Sequence, residues 1–158
     1  MDYYAVFDSP IGPLLLVSDG ENLTGLYMNR EIPEKCTALP VFDWTCQWLE
    51  DYFCGRIPSV DVPVCAKGTV FQEQVWQILQ TIPWGQTRTY GSVAREVAAV
   101  LGKEKMSPQA VGQAIGRNPV SILIPCHRVV GAKGTLTGYA GGIGNKKRLL
   151  DHEAQTKE

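Results

Sequence analysis

The stretch Ile122-Leu123-Ile124-Pro125-Cys126-His127-Arg128-Val129-Val130 joins a short apolar run to a proline, a cysteine and a histidine. Residues 120–124 are too few for a helix and rich in β-branched side chains, which predicts a buried strand. Pro125 ends that strand because it lacks a backbone N–H and fixes its own φ. Cys126 therefore lies at the end of the element, where a cavity can open. In a continuing strand Cys126 and His127 would point to opposite faces, so their cooperation needs either a turn of the backbone or a bridging water.

Two interpretations of Cys126 are open on these residues alone. Free cysteine is among the most frequently buried residue types, so Cys126 can be an inert part of the core. It can also be a nucleophile, because a thiol with an ordinary pKa of about 8.5 becomes reactive at neutral pH when a base or a positive charge favours the thiolate. His127 and Arg128 are the local candidates for that role, and the only other histidine is His152.

Length and composition indicate one domain or two small ones in an ordinary globular protein. The chain has 158 residues, of which 44% are hydrophobic and 20% charged. It shows no long apolar stretch and no signal-peptide pattern at its start, so we expect a cytoplasmic protein. The five cysteines have no Cys-x-x-Cys spacing, which argues against a metal site. Disulfides are not expected in a reducing compartment. We expect neither a metal nor a cofactor.

Charge is divided unevenly along the chain. Residues 1–65 carry ten acidic and three basic side chains, a net −7, whereas residues 66–158 carry six acidic and twelve basic ones, a net +6. This division predicts that a polyanion would meet the C-terminal half. The alternative is that the two oppositely charged parts attract each other, and the charges alone do not separate these interpretations.

Turn-forming residues divide the start of the chain into three predicted strands, at residues 3–7, 13–17 and 23–28. An antiparallel meander is the simplest arrangement of these strands. Pro40 then opens a predicted helix that Gly55 closes. Large apolar side chains recur on one face of this helix; they are Phe42, Trp48, Leu49, Tyr52 and Phe53. We expect that face to pack against the sheet, and we assign no chemistry to the N-terminal part.

The C-terminal part follows a predicted linker at residues 57–68 and contains the outline of a helix-turn-helix. Each of its first three predicted helices begins at a capping residue; the caps are Thr69, Thr89 and Ser107, with Gln72 completing a capping box and Pro108 at the first position of the third helix. A loop around Gly102 joins the second of these helices to the third.

The third helix has an apolar face and a bare polar face, formed respectively by Val111, Ala114 and Ile115 and by Gln109, Gly112, Gln113 and Gly116. Each glycine inside a helix costs about 1 kcal/mol relative to alanine. Two glycines on one face therefore indicate that something approaches the helix closely. That partner is either a DNA groove or another helix of the same protein, and the pattern alone favours neither.

The sequence Asn-Pro-Val-Ser-Ile-Leu-Ile-Pro-Cys-His-Arg-Val at residues 118–129, followed by Gly-Tyr-Ala-Gly-Gly at residues 138–142, resembles the active-site signature of the O6-alkylguanine-DNA alkyltransferases. These proteins are also called methylated-DNA-protein-cysteine methyltransferases. The resemblance implies an α+β chain with two domains. Residues 1–63 would form an antiparallel sheet with a helix, like that of ribonuclease H, and residues 67–158 would form a mostly helical, winged helix-turn-helix-like domain.

The same resemblance implies a single-turnover DNA repair enzyme in which Cys126 takes the alkyl group from O6-alkylguanine, and from O4-alkylthymine. His127 would act as the base through a water, and Glu153 would orient it. Glu153 has independent support, because it shares the inward stripe of the final helix with Leu149 and Leu150, where a carboxylate needs a partner. The thioether product offers no bond that water can attack, so each molecule would act once and without a cofactor.

Further residues are assigned to substrate binding by resemblance. Tyr90 would donate a hydrogen bond to N3 of the departing guanine, and Asn118 would tie the recognition helix to the active-site strand. The base pocket would be lined by Val129, Tyr139, Ala140 and Lys146. In that pocket the backbone N–H of Ala140 would lie near O6, and the carbonyls of Cys126 and Val129 would accept from the exocyclic amine.

By resemblance, the partner is double-stranded DNA containing O6-alkylguanine, bound through its minor groove with the damaged nucleotide flipped out. The contacting residues would be Gln109, Ala110, Gly112, Gln113, Arg117 and Arg128. Family members commonly carry arginine at the position of Gln109, where it fills the gap left by the extruded nucleotide. Glutamine is shorter and uncharged, so we expect weaker binding or flipping here. We expect the protein to act as a monomer and to have no membrane partner.

Two alternative functions come from other classes. One is a helix-turn-helix protein that recognises lesions without alkyl transfer, although the relatives of that kind replace the cysteine that is present here as Cys126. The other is a cysteine hydrolase in which Cys126 and His127 would turn over esters or peptides. Stoichiometric gain of an alkyl group on Cys126 distinguishes the leading function from both.

Overall fold

A three-stranded antiparallel sheet in the order β1-β2-β3 forms the start of the chain. The computed structural model describes residues 1–136, 138–139 and 141–155. The strands are β1 (Tyr3–Ser9), β2 (Gly12–Ser18) and β3 (Leu23–Tyr27). They confirm the predicted meander. Gly12 opens β2 with a φ of 104°, a conformation that strains any residue with a side chain.

Helix α1 (Pro40–Phe53) packs on this sheet and contacts all three strands. Pro40 occupies its first position, as predicted, and Gly55 follows its end with a φ of 84°. The inward face is apolar apart from the hydroxyls of Thr45 and Tyr52, and Thr45, Leu49 and Tyr52 are all inaccessible to solvent. Burial of a tyrosine ring is favourable, but its hydroxyl then needs a partner inside the protein.

Four helices form most of the C-terminal part: α2 (Val70–Leu79), α3 (Tyr90–Val100), α4 (Pro108–Gly116) and α5 (Ile143–Gln155). The predicted caps are present, since Thr69 and Gln72 form a capping box and the hydroxyls of Thr89 and Ser107 accept backbone N–H groups at the starts of α3 and α4. Helices α2, α3 and α4 pack on one another. Together α3 and α4 form the expected helix-turn-helix.

A second, two-stranded sheet fixes the start of α3 beside the cysteine. Its parallel strands are β4 (Arg88–Thr89) and β5 (Val129–Val130). Strand β4 leads directly into Tyr90, the first residue of α3, and β5 directly follows the turn that contains Cys126. The pairing of these two short strands therefore places Tyr90 and Cys126 in the same region of the molecule.

The prediction of a strand at residues 120–124 is wrong, although the segment is largely buried as expected. Its backbone folds back on itself, because Leu123 N donates to the Ser121 carbonyl at 2.9 Å and Ile124 N donates to the Val120 carbonyl at 3.0 Å. Ile122 sits at the centre of this turn with a φ of 73°. A β-branched residue in the left-handed region is strained, and periodicity of apolar residues cannot reveal such a turn.

The segment before the cysteine is held against the edge of the N-terminal sheet. Leu26 N in β3 donates to the Pro119 carbonyl at 2.8 Å, and Ser121 N donates to the Leu26 carbonyl at 3.2 Å. One continuous apolar core includes residues from both parts of the chain. No helix in the described ranges is long and apolar enough to span a bilayer. The boundaries at residues 1–63 and 67–158 stay a prediction.

Candidate active site

Cys126 begins a short 3-10 turn, Cys126–Arg128, and only 5% of its surface is exposed. This turn, rather than a continuing strand, lets consecutive residues serve one site. Burial raises the pKa of the Cys126 thiol, and the side chains of Asn118 and Tyr139 and the charge of Lys146 oppose that shift in part. The resting sulfur is therefore a thiol that needs a base before it can act as a nucleophile.

His127 is completely buried and has one ring nitrogen in use and one unused. Its Nε2 lies 2.6 Å from Oε2 of Glu153. Its Nδ1 has no hydrogen-bond partner among the described residues, so Cys126 does not bond to it directly. Burial lowers the pKa of His127 despite the neighbouring carboxylate. The ring is therefore neutral at pH 7. With the proton on Nε2, Nδ1 presents a lone pair that can take the thiol proton through a water.

Glu153, on α5, is 99% buried and is surrounded by donors. They are His127 at 2.6 Å, the Tyr52 hydroxyl at 2.6 Å, Arg128 Nε at 2.8 Å and Nη2 at 3.1 Å, and the Gly85 backbone N–H at 3.4 Å. Burial alone would raise the pKa of this carboxyl, but hydrogen bonds and charge from His127 and Arg128 outweigh it and hold the pKa at about 2. Glu153 is therefore ionised at any physiological pH. The donors around it are the partners that the sequence predicted for a buried carboxylate.

Arg128 does not face solvent, so its predicted contact with DNA is wrong. Its guanidinium binds both carboxylate oxygens of Glu153 and donates through Nη1 to the Ile82 carbonyl at 2.6 Å. The side chain is buried because an ionised carboxylate in the interior needs a counter-charge. In the sequence, a basic residue beside a reactive cysteine is compatible with either a DNA contact or a buried ion pair.

One residue of the N-terminal part, to which the sequence assigned no chemistry, contacts this cluster. Tyr52 of α1 belongs to the aromatic face that was predicted to be core, and its ring is core. Its hydroxyl nevertheless reaches the Glu153 carboxylate of α5. A signal was present in the sequence, since Tyr52 is the one member of that aromatic stripe whose side chain ends in a hydroxyl, and a buried hydroxyl requires a partner.

Three of the residues predicted to line the base pocket fall within the described ranges, namely Val129, Tyr139 and Lys146. Val129 is buried in β5 immediately after the turn. The Tyr139 hydroxyl is buried with no hydrogen-bond partner in the part of the chain that the structure describes. Burial raises the pKa of Tyr139, and the nearby Cys126 raises it further. Lys146 is fully buried, and its Nζ donates to the Tyr90 hydroxyl at 3.4 Å. The predicted role of Ala140 lies outside the described residues.

Asn118 joins the end of α4 to the segment that leads to the cysteine. Its Nδ2 donates to the Ile124 carbonyl at 2.9 Å and to the Val120 carbonyl at 3.4 Å, and its Oδ1 accepts from Val120 N at 3.0 Å. Asn118 is buried, and these bonds close the strained turn around Ile122. The side chain thus links the helix-turn-helix to the turn that carries Cys126.

Helix α4 presents a bare face to solvent. Gln109, Gln113 and Arg117 are exposed, while Ala110 and Gly112 are half-buried. A Cβ on Gly112 would come no closer than 3.7 Å to the Tyr90 ring, an ordinary contact, and one on Gly116 would meet nothing within 4 Å. Close contact with another helix is therefore not the reason for these glycines. An external partner that needs to approach α4 explains them better.

Metal-ligating side chains do not gather anywhere in the described ranges, where no group of three histidine, cysteine or acidic residues is arranged to hold an ion. All five cysteines are free thiols. Among them, Cys126 alone is buried.

Known proteins resemble this one along nearly the whole chain. Residues 70–155 match the family model described as 6-O-methylguanine DNA methyltransferase, DNA binding domain, and residues 3–65 match its ribonuclease-like domain. A methylated-DNA–protein-cysteine methyltransferase from Methanosarcina acetivorans is 45% identical over 96% of this chain and 97% of its own length. One from Mycobacterium tuberculosis is 43% identical over 97% of this chain and 93% of its own.

A solved structure extends the similarity to three dimensions. The crystal structure of Mycobacterium tuberculosis OGT in complex with DNA has a TM-score of 0.84 and 43% sequence identity, and it covers 97% of this chain and 93% of its own. An O6-methylguanine DNA methyltransferase from Methanococcus jannaschii has a TM-score of 0.68 at 26% identity, over 95% and 93% of the two chains. The arrangement of sheet and helices described above is thus that of these proteins.

Proposed function

This chain belongs to the 6-O-methylguanine DNA methyltransferase family, and we propose that Cys126 is the residue that receives the alkyl group. The protein is a methylated-DNA–protein-cysteine methyltransferase: it binds DNA and repairs it by transferring an alkyl group to a cysteine. The observation that carries the assignment to Cys126 is the turn that it shares with His127. That histidine has Nε2 on an ionised carboxylate and a bare Nδ1.

The proton of the Cys126 thiol passes through a water to Nδ1 of His127, and Glu153 stabilises the resulting imidazolium. The sulfur then attacks the alkyl carbon on O6 of the guanine. A carbon–sulfur bond forms as the carbon–oxygen bond breaks, and the bond electrons leave with the base. Tyr90 donates a hydrogen bond to N3 of the departing guanine, which offsets its negative charge. The thioether product is not hydrolysed, so each molecule acts once.

The pocket for the base lies on the side of Cys126 that faces Tyr139. We assign Val129, Tyr139, Lys146 and the backbone of Ala140 to it, together with the hinge at Asn118. The buried Tyr139 hydroxyl, which has no hydrogen-bond partner among the described residues, supports this assignment, because polar groups in the interior are ordinarily matched. A purine placed here would supply an acceptor for it.

Helix α4 is proposed to enter the minor groove of the DNA, with the damaged nucleotide flipped into the pocket. Gln109, Ala110, Gly112, Gln113 and Arg117 are the proposed contacts. Support comes from the exposed face of α4, from glycines that no internal contact requires, and from the positive charge of the C-terminal half. We also propose that O4-alkylthymine is a second substrate, that the protein acts as a monomer in the cytoplasm, and that residues 1–63 and 67–158 are its two domains.

The test is the intact mass of the protein after mixing with duplex DNA that contains one O6-methylguanine. We expect the wild type to gain one methyl group per molecule, mapped to Cys126, with no further turnover. Cys126→Ser is expected to gain none. Cys65→Ser is the matched control because Cys65 is half-buried and distant from His127 in sequence, and it should react like the wild type. Binding of the lesion without a mass gain would instead identify a recognition protein, and repeated turnover of an ester would identify a hydrolase.

A further inference from the structure

We propose that Tyr52, in the N-terminal helix α1, is a positioning residue for alkyl transfer: its hydroxyl holds the Glu153 carboxylate in the orientation that serves His127. The proposal rests on the proposed roles of Cys126 and His127. It makes the N-terminal part a contributor to the chemistry, although Tyr52 touches neither the sulfur nor the base.

The geometry at Glu153 supports this role. The Tyr52 hydroxyl donates to Oε2 at 2.6 Å, and His127 Nε2 lies 2.6 Å from the same oxygen. The other oxygen, Oε1, accepts from Arg128 Nε at 2.8 Å. Rotation of the carboxylate would break one of these bonds, so Tyr52 and Arg128 fix it from two sides. His127 then finds its acceptor in one place only.

Tyr52 is itself held firmly enough to act in this way. Its ring is tilted on Trp84 with centroids 4.8 Å apart and stacks on Trp48 at 5.5 Å. Its carbonyl lies 2.6 Å from Nε2 of His152, the residue next to Glu153 in α5. The indole N–H of Trp84 donates to the Glu153 carbonyl at 3.2 Å. Backbone and side chain of Glu153 are thus both connected to the same aromatic cluster.

Packing alone does not account for a tyrosine at this position. A phenylalanine would fill the same aromatic volume without placing a hydroxyl in the interior, where an oxygen that lacks a partner is costly. The donor is permanent, since burial and the adjacent carboxylate raise the pKa of Tyr52 far above its usual range. Glu153 therefore keeps this hydrogen bond at every pH at which the protein works.

The direction of the pH effect follows from the groups around His127. Glu153 favours the imidazolium, whereas Arg128 on the same turn and Lys146 on α5 disfavour it. Tyr52 acts through Glu153, because a hydrogen bond to Oε2 withdraws negative charge from the oxygen that His127 uses. Without Tyr52, Arg128 still holds the carboxylate and Oε2 carries more negative charge towards His127, so the pKa of His127 rises. The acid limb of the rate profile should then move to higher pH.

The experiment measures the single-turnover rate of methyl transfer from an O6-methylguanine duplex between pH 5.5 and 8.5 for the wild type and Tyr52→Phe. We expect the variant to be about tenfold slower at pH 6, the kinetic equivalent of one hydrogen bond to a charged group. The loss should be smaller at pH 8, where His127 is neutral in both proteins. Leu49→Val is the matched control: Leu49 is equally buried in α1, and its truncation perturbs packing without removing a donor.

Two results would overturn the proposal. One is a Tyr52→Phe profile that coincides with that of the wild type. The other is an acid limb that moves by the same amount in Leu49→Val, which would mean that any loosening of α1 has this effect. Failure of the wild type to methylate Cys126 at all is a different result, because it would remove the proposed function and not Tyr52 alone.

Discussion

The two sides of the active-site turn differ in how their polar atoms are matched. On the inner side, every oxygen of Glu153 is taken by donors, namely His127, Arg128, Tyr52 and the backbone of Gly85. On the side that we propose for the substrate, Nδ1 of His127 and the hydroxyl of Tyr139 are buried without a partner among the residues described. The atoms compared are shielded from solvent on both sides, so exposure does not explain the contrast.

The difference separates what the protein builds into its fold from what it leaves for the substrate. A fully matched ionic cluster is rigid, and it holds His127 in one tautomer before DNA arrives. Unmatched groups cost stability, but they can bind a water and a base without first breaking bonds within the protein. Substitutions on the inner side should therefore reduce both stability and rate. Substitutions on the substrate side should reduce function and spare stability.

The largest effect is expected for Glu153→Gln. The amide cannot balance the charge of Arg128, and its NH2 group faces donors that have lost their acceptor. We expect the free energy of unfolding to fall by about 3–5 kcal/mol, as for other broken buried ion pairs, and alkyl transfer to slow by at least about 100-fold. Urea unfolding and single-turnover rates measure these quantities. Asp151→Asn is the control on the same helix, an exposed partner of Lys147 whose loss should change stability by less than about 0.5 kcal/mol. Equal losses of stability in Glu153→Gln and Asp151→Asn would show that the buried cluster contributes no more than an exposed ion pair.

The second-largest effect is expected at acid pH, which should destabilise the protein through the inner-side residues His127 and Glu153. The pKa of His127 is lowered from its ordinary 6.5, so below that pH the unfolded chain binds a proton that the folded chain does not. The pKa of Glu153 is lowered to about 2, so its stabilising contribution is present above its ordinary 4.5 and is lost as the pH falls towards 2. Both shifts make the free energy of unfolding decrease as the pH is lowered, each by up to about 1.4 kcal/mol per pH unit. Urea unfolding at pH 8, 6 and 5 tests this, and His127→Gln should flatten the change between pH 6.5 and 5. A flat wild-type curve would be the opposite result.

How far the sequence predicts this molecule depends on whether the deciding interaction is local. Caps such as Thr69 and Ser107 act within one turn, so the starts of α2 and α4 were predictable from neighbouring residues. Glu153 was assigned by family resemblance, and its place on an apolar stripe predicted that its carboxylate needs a partner. The identity of that partner was not predictable, because Tyr52 lies 101 residues away in the chain. The turn at Ile122 escaped prediction for the same reason, since hydrogen bonds to Asn118 and to the edge of β3 hold it in place.

On the substrate side, Tyr139→Phe should separate stability from function. It removes a buried hydroxyl that has no partner in the described ranges, so the free energy of unfolding should stay the same or rise by up to about 1 kcal/mol. Alkyl transfer should nevertheless become slower, because the hydroxyl lies near the thiol and the base pocket. Thermal unfolding and single-turnover rates on the same preparation give both numbers. A variant that loses stability and keeps its rate would show that the Tyr139 hydroxyl stabilises the fold and does not serve alkyl transfer.

The smallest effect is expected for Gly112→Ala. The added methyl group meets only an ordinary contact with Tyr90, and alanine favours a helix over glycine by up to about 1 kcal/mol, so the protein should become more stable. DNA affinity should fall several-fold, because the methyl group stands on the face proposed to enter the groove. Gly144→Ala in α5 is the control, since its Cβ would meet nothing within 4 Å and it should stabilise the protein without weakening DNA binding. Unchanged affinity of Gly112→Ala would remove α4 from the interface.

The most direct test of the central claim is the protonation state of His127 in the free protein. The chain contains two histidines, so nitrogen-15 labelling of histidine gives two sets of NMR signals, and His152→Gln assigns them. At pH 7 we predict a neutral His127 with the proton on Nε2 and a bare Nδ1, ready to accept the thiol proton through a water. A proton on Nδ1, or on both nitrogens, would leave Cys126 without its base and would contradict the account.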